Sequence, residues 1–353
     1  MNAVRRRKDR APLIEANRRP RIADLARAAG VSVATVDRVL TGRLPVREAT
    51  ALRVAEAAQR IDFHSAALLK KRLARPKRKF GFLLQKPDDF YRSLGAAIEE
   101  ASARAPDVSC EVEFVAGLSP GDLVEQMRRM ADRVDALGVV SVDHPVIAEA
   151  IAAIRPRGVP IFALISDLSA EALSGFVGRD NRKEGRTAAW LIAHAATEGG
   201  EVGIMVGSHR YLCQETCEIS FRAYLREHAP NFRVLEPIIS LDDSNLAYSG
   251  LRSLAAKHKD LVGLYNCGGG MNGLMAAAKE AGLAGRVAIV GHELTDKTRA
   301  GLVSGLLTAV IATPCALLAE RAIGAMQRAL TPGEAANERH SIVPFDLFLP
   351  TNV

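Results

Sequence analysis

Residues 21–40 read RIADLARAAGVSVATVDRVL, and the spacing of their apolar positions decides how the chain begins. Ile22, Leu25, Ala26 and Ala29 recur at helical intervals, and Gly30 stops the run. Ser32 is a natural N-cap, which predicts a second helix over 33–40. Two short helices joined by a three- to four-residue glycine turn are the signature of a helix-turn-helix. A third helix is predicted over 46–61, where Ala49, Leu52, Val54, Ala57, Ala58 and Ile61 form the apolar stripe. Three small helices make a minimal core that can present the second one to a major groove.

The charge follows the same division. The chain has 353 residues and a net charge of +7. Residues 1–79 hold 21 Lys and Arg against 7 Asp and Glu, whereas the remainder holds 26 against 33. A basic head on an acidic body points to a polyanionic partner for the head alone. Residues 1–19 read as a basic, disordered tail. The start, MNAVRRRKDR, has no apolar stretch behind it and is not expected to be a secretory signal. No apolar run approaches the ~18 residues of a membrane span, so no membrane partner is expected. Five scattered cysteines (110, 213, 217, 267 and 315) suit a reducing, cytoplasmic compartment. His209, Cys213 and Cys217 repeat every four residues; a plain helical face is the simpler reading than a metal site.

Beyond residue 80, short apolar runs alternate with amphipathic stretches. Strands are predicted over 80–84, 109–115, 136–142, 159–164, 176–177, 201–206, 233–239, 261–265 and 287–290, with helices such as 94–103, 123–133 and 182–196 between them. Such alternation predicts parallel sheets with right-handed crossovers, here two doubly wound lobes after a small all-α head. Ligands of such sheets sit outside the carboxyl ends of the strands. The candidate pocket residues are therefore the polar ones that follow strands. They are Asp88-Asp89-Phe90-Tyr91, Asp143-His144, Ser166-Asp167, Arg179-Asp180-Asn181, Arg210, Asn266 and Glu293. Carboxylates and amides with an aromatic face suit a polyhydroxyl ligand, whose hydroxyls both donate and accept.

The run from Ile22 onward resembles the DNA-binding head of the lactose-repressor (LacI/GalR) family, with its pattern A-x-x-A-G-V-S-x-x-T-V-S-R-V-L-N. Ala26, Ala29, Gly30, Val31, Ser32, Thr35, Val36, Arg38, Val39 and Leu40 match it. The resemblance places Val33 and Ala34 where the family's two base-reading side chains stand; both are apolar here and suit a thymine methyl. It makes Arg38 a guanine reader and Ser32 and Thr35 phosphate contacts. Asp37 replaces the usual Ser; it can orient Arg38 or accept from cytosine N4. The resemblance also makes 63–79 a basic hinge helix that folds on the operator, with Lys70 and Lys71 on phosphate and a leucine levered into the minor groove. Ungapped counting puts Arg72 at the lever and a one-residue slip puts Leu73 there; a plain basic linker is the alternative. With so many like charges and little apolar surface, this segment is expected to be disordered without DNA.

The body, 80–353, resembles the same family's effector-binding domain and its periplasmic-binding-protein relatives. Asp180-Asn181 with Gly185 looks like D-N-x-x-G. Asn266 with Gly268-Gly269-Gly270, and Gly291-His292-Glu293-Leu294, look like Y-N-x-G-G-G and G-H-E-L. Cys217 stands where relatives carry an arginine, and Ala312-Thr313-Pro314 where many carry a glutamine before proline. Both changes shorten hydrogen-bonding reach, which Arg210 can restore from a nearby loop. The resemblance implies a homodimeric repressor of a carbohydrate or polyol operon, with a sugar, sugar phosphate or polyol as effector. No cofactor is implied, and no catalytic constellation stands out. Two rivals remain. Gly268 to Gly273 is a literal G-x-G-x-x-G with Glu293 about 20 residues on, the dinucleotide fingerprint of an NAD(P)-binding oxidoreductase. A periplasmic-type sugar-binding protein would share the body but not the basic head.

Overall fold

The computed structural model describes residues 19–41, 46–73, 77–115, 119–196, 198–331 and 340–353. The predicted tail therefore lies outside the described residues but for Arg19. The chain divides into two units, 1–77 and 78–353. No described helix is long and apolar enough to cross a membrane.

The first unit contains α1 (Ile22–Ala29), α2 (Val33–Thr41), α3 (Glu48–Arg60) and α4 (Ala66–Leu73). Gly30 ends α1 in the left-handed conformation, φ 64°, which a β-carbon would strain. The turn then delivers Ser32, whose Oγ accepts from Thr35 N at 3.2 Å and caps α2. Leu25, Val36, Val54, Ala57 and Ala58 are fully buried and form the centre of the core. Arg60 Nη2 donates to Ala28 O at 2.7 Å and ties α3 to α1.

The expectation that 63–79 is disordered on its own is corrected by α4. Phe63 and Leu69 are each only 2% exposed and belong to the same core as Leu25 and Val54. Two apolar anchors six residues apart outweigh the charge around them. Arg78 and Lys79, read as the end of the hinge, instead open the first strand of the second unit.

That unit runs β1 (Arg78–Leu84), α5 (Asp89–Arg104), β2 (Val108–Phe114), α6 (Pro120–Ala131), β3 (Ala136–Val139), α7 (Pro145–Ile154), β4 (Ile161–Leu164) and β5 (Gly175–Arg179). It continues with α8 (Asn181–Ala195), β6 (Gly200–Val206), α9 (Leu212–His228), β7 (Phe232–Val234), β8 (Ile238–Ile239), α10 (Ser244–Lys257), β9 (Leu261–Asn266) and α11 (Met271–Glu280). It closes with β10 (Ala288–His292), α12 (Asp296–Val303), β11 (Ala309–Ala312), α13 (Cys315–Ala329), β12 (His340–Val343) and β13 (Asp346–Phe348). One sheet has the order β12-β5-β4-β3-β1-β2 and is parallel throughout. The other has the order β13-β11-β10-β9-β6-β7, with β8 also on β6 and β13 antiparallel to β11. Strands such as β3 (ALGV) and β4 (IFAL) are buried at every residue, because helices cover both faces of a parallel sheet. Each sheet separates two apolar clusters.

The chain passes between the lobes three times: from β5 to α8, from β11 to α13, and from β12 to β13. The strand predicted over 233–239 is two short strands, because Pro237 has no N–H to donate. β11, β12 and β13, three or four residues long, are too short to show a strand pattern in the sequence.

Truncating the α4 anchor tests its tie to the head. Leu69→Ala is expected to cost about 2–4 kcal/mol in the first unit, read as faster amide hydrogen exchange across α1 to α4 with the second unit unchanged. Unaltered exchange in α1 to α3 would detach α4 from that core.

Candidate functional site

The head's exposed feature is α2. Val33 is 52% exposed, and Ala34, Asp37 and Arg38 are also exposed, while Val36 and Val39 on the opposite face are buried. The 3.6-residue period thus puts the four side chains proposed to meet base edges on one outward face. Ser32 and Thr35 are joined at the start of the helix, Oγ to Oγ1, at 2.9 Å. Lys70, Lys71 and Leu73 fall on α4; their side chains lie outside the described residues.

In the second unit the carboxyl ends of the two sheets face a cavity of about 450 Å3. The first lobe lines it with Gln85, Lys86, Asp88, Asp89, Phe90, Tyr91 and Ser166; the second with Tyr211, Gln214, Leu241, Asp242, Asp243, the glycine loop 268–270, His292 and Glu293. The hydrogen bonds that join the lobes include Asp143 N to Arg210 O at 2.7 Å, Cys213 N to Ser166 Oγ at 3.3 Å and Arg179 Nη1 to Glu293 at 3.0 Å.

At the floor lies a buried charge network. Arg179, the last residue of β5, is 5% exposed. Its Nε is 2.7 Å from Glu184 and its Nη1 3.0 Å from Glu293. Burial works against its charge, but the carboxylates of Glu184 and Glu293 outweigh burial and hold the guanidinium protonated. Glu293 also accepts from Thr313 N at 2.9 Å and Thr313 Oγ1 at 2.7 Å. His292 is neutral, its pKa lowered by burial and then by Arg179. A guanidinium only donates, so the Arg179 contact at 3.5 Å assigns Nδ1 as acceptor, and Nε2–H then donates to Tyr265 Oη at 2.9 Å.

The rim is acidic. Asp88 caps α5, accepting from Tyr91 N at 2.8 Å. Asp242 accepts from Gly269 N at 2.5 Å and from Gln214 Nε2 at 3.3 Å. Burial raises the pKa of both, and Asp242 adds to the rise at Asp88 across the cleft. Five described non-glycine residues have positive φ, and four of them, Ile165, Leu241, Asp242 and Glu293, line this cavity. Each such conformation costs about 1–3 kcal/mol and persists only where the surroundings enforce it.

Of the residues predicted for the pocket, the structure brings Asp88, Asp89, Phe90, Tyr91, Ser166, Arg179 and Glu293 to its lining. The others lie off the lining. Asp143 accepts from Ser169 N and Oγ; His144, Asp180 and Asn181 belong to helix starts, with Asn181 Nδ2 on Glu184. Asp167 contacts His340 at 3.2 Å, and Arg210 is exposed with its carbonyl on the lobe contact. Asn266 is fully buried and shapes the glycine loop, accepting from Gly268 N and donating to Gly269 O. Tyr211, Gln214 and Asp242 were not anticipated. They follow strand ends by several residues, and only the turn at 207–211 and the left-handed backbone at 241–242 bring them back.

The glycine-rich motif has a local explanation. Its amides at Gly268 and Gly269 are taken by Asn266 and Asp242, where a pyrophosphate would need them free. A β-carbon on Gly273 would meet Ser244 O at 1.7 Å, so this glycine serves the packing of α11 on α10. His209 precedes α9 and contacts Glu218 at 2.5 Å, so it does not share a helix face with Cys213 and Cys217. Glu184, Cys217 and His292 do bring ligand atoms within 4.8 Å of one another, but Arg179 already supplies the cation beside them.

Residues 80–335 match the family of periplasmic binding protein domains, and residues 21–65 match the lacI family of bacterial regulatory proteins. The chain belongs to the family of periplasmic binding protein domains through its body, and it carries a lacI-family DNA-binding domain as its head. A curated relative from Streptomyces limosus, described as an uncharacterized HTH-type transcriptional regulator in the aml 5′ region, is 30% identical over 201 residues, 55% of this chain and 54% of the relative. The chain thus spans about half the length of that relative. Among solved structures, an Agrobacterium vitis solute-binding protein bound with α-D-tagatopyranose matches with a TM-score of 0.74 and 20% identity over 78% of this chain and 96% of its own. An Actinobacillus succinogenes solute-binding protein with D-allose matches at TM-score 0.71 and 20% identity, over 78% and 99%. A Bacillus halodurans one with myo-inositol matches at 0.70 and 18%, over 78% and 96%. At these identities the likeness concerns the fold.

Arg179→Met leaves Glu184 buried without its cation and is expected to destabilise the body by about 3–5 kcal/mol. Urea unfolding of the full chain reads the loss, and Arg179→Met with Glu184→Gln should recover much of it; equal losses would exclude the ion pair as cause. The pH dependence has its own sign. Aspartates whose folded pKa is raised stabilise fully below their unfolded value of 3.8 and lose that contribution as pH rises through the folded value. Asp242→Asn should therefore flatten the decline of Tm with rising pH above the ordinary carboxylate range.

Proposed function

We propose that this chain represses transcription of a carbohydrate or polyol utilisation operon and is controlled by a small polyhydroxyl effector bound between the lobes of its body. The observation that carries this reading is the pairing, on one chain, of an outward-facing α2 in a lacI-family head with a ligand-sized cavity between the two sheets of the body. A cavity of about 450 Å3 falls within the usual range for small-molecule sites. The sugars and the cyclitol held by structurally similar proteins support the ligand class.

In this reading α2 enters the major groove of operator DNA. Arg38 takes guanine O6 and N7, Val33 and Ala34 meet a thymine methyl, and Ser32 and Thr35 hold phosphate. One such helix reads only a few base pairs, so the active species is a homodimer on a pseudo-palindrome. The basic α4 follows with Lys70 and Lys71 on the backbone and Leu73 at the minor groove. A ligand touching both lobes favours their closed arrangement, and that differential affinity shifts the population of DNA-competent dimers.

Arg38→Ala is expected to weaken operator binding by about 1–3 kcal/mol and relax preference at one position per half-site, whereas Lys70→Ala or Lys71→Ala weakens all sequences alike and flattens the salt slope. Equal losses for Arg38→Ala on operator and random DNA reject the base-reading role. A monomer by light scattering at micromolar concentration rejects the dimer. Phe90→Ala should keep ligand-free operator binding and lose the response to whichever sugar, sugar phosphate or polyol stabilises the parent in a thermal-shift screen; an unchanged response misplaces the pocket.

A further inference from the structure

The charge inside the cleft narrows the ligand class. Five carboxylates line the cavity: Asp88 and Asp89 from the first lobe, Asp242, Asp243 and Glu293 from the second. Two cations line it with them, Lys86 and Arg179. Arg179 is committed to Glu184 and Glu293. Lys86 is exposed, as are Asp88, Asp89 and Asp243, whereas Asp242 is half-buried; among the described residues, four carboxylates outside any ion pair still face one uncommitted cation. Among the described residues, Glu293 is the one lining carboxylate held in an ion pair. Asp88 and Asp242 are held instead by N–H donors, on opposite lobes, and Asp242 raises the cost of charge on Asp88 across the cleft. Closing the lobes on a neutral guest leaves that repulsion in a partly desolvated space, where Coulomb terms exceed their value in water. A phosphorylated guest would add to it. An ammonium group removes it, and the aromatic residues Phe90, Tyr91 and Tyr211 line the same cavity, where rings attract a cation.

We propose that the effector carries a primary ammonium group on a polyhydroxyl body, an amino sugar or amino polyol, and that Asp88 and Asp242 clasp this group from the two lobes. This rests on the cleft being the effector site. The ammonium donates to both carboxylates in charge-assisted hydrogen bonds, and the hydroxyls take the remaining polar lining. Because the two acids come from opposite lobes, the bond pair forms only in the closed arrangement.

Calorimetric titration of the full chain tests this with D-glucosamine, D-galactosamine, D-mannosamine and glucamine, each beside its hydroxyl parent, and with the N-acetyl form of each hexosamine. At least one amine is expected to bind about tenfold or more tightly than both its hydroxyl parent and, for a hexosamine, its N-acetyl form, with affinity falling as salt rises. Asp242→Asn, and independently Asp88→Asn, should erase that preference. A neutral sugar or polyol that outbinds every amine, or a preference that survives both variants, overturns the ammonium proposal and leaves the effector site standing. A sugar phosphate or the linear polyamine spermidine outbinding the amino sugars overturns it as well. If no amine and no neutral compound binds, the effector reading falls with it.

Discussion

The body depends on one buried cation. Taking a guanidinium out of water costs several kcal/mol even after relaxation, and Arg179 recovers that cost only through the two carboxylates within 3.0 Å of it. The placement of those carboxylates gives the network its meaning. Arg179 ends β5, at the first passage between the lobes; Thr313 follows β11, at the second. Glu293 binds both, with an ion pair on one side and two hydrogen bonds on the other. A single side chain therefore fixes two of the three interlobe passages to each other, and it does so from the wall of the cavity. Anything that draws Glu293 toward a ligand acts on both passages at once. In the effector reading proposed above, this is a physical route from ligand to lobe angle that needs no chain of intermediaries.

The backbone around the cavity is held in the same spirit. Ile165, Leu241, Asp242 and Glu293 adopt a left-handed conformation without being glycine. Each is fixed by a definite contact: Ile165 N on Val177 O, Leu241 N on Gly207 O, and Glu293 N on Ile311 O, with Asp242 gripping Gly269 N through its side chain. The sheets over-determine the turn, so the turn can hold a conformation that an isolated chain would leave. Strain at four positions around one cavity, drawn from both lobes, is what a preorganised binding surface requires.

How far the chain could be read in advance follows from the range of the signals. The head was legible because its signals are local: Gly30 needs only its own φ, Ser32 caps three residues ahead, and the periodicity of α1 to α3 spans a few turns. The long strands of both sheets were legible because burial on two faces leaves a continuous apolar run. The edges were not. β11, β12 and β13 are too short to carry a pattern and exist through partners far away in sequence, as His340 to Val343 on β5. The behaviour of α4 turned on Phe63 and Leu69, two apolar residues in a segment whose charges dominate a composition count. In the cleft, the rule that ligands lie past the strand ends picked out Asp88, Asp89, Phe90, Tyr91, Ser166, Arg179 and Glu293, which line the cavity. It failed for Asp180 and Asn181, because a helix start consumes the same polar residues that a pocket would use.

That competition also explains why Asp88, Asp242 and Asp243 hold N–H donors and, among the described residues, no ion-pair partner. Asp88 and Asp243 are N-caps, and Asp242 closes the glycine loop. Each has a structural reason to be a carboxylate that does not depend on a ligand, since helix starts and exposed amides attract negative charge. Yet caps scattered over a surface would be solvated singly. Here the strand order of two sheets brings two helix starts and one loop closure to the same cavity, so charges that arose as local caps line one cleft. The field they make together is a property of the topology rather than of any one element. An amide in place of Asp242 can still accept from Gly269 N while contributing no charge, so the two roles of that carboxylate, fold and field, are separable at a single position.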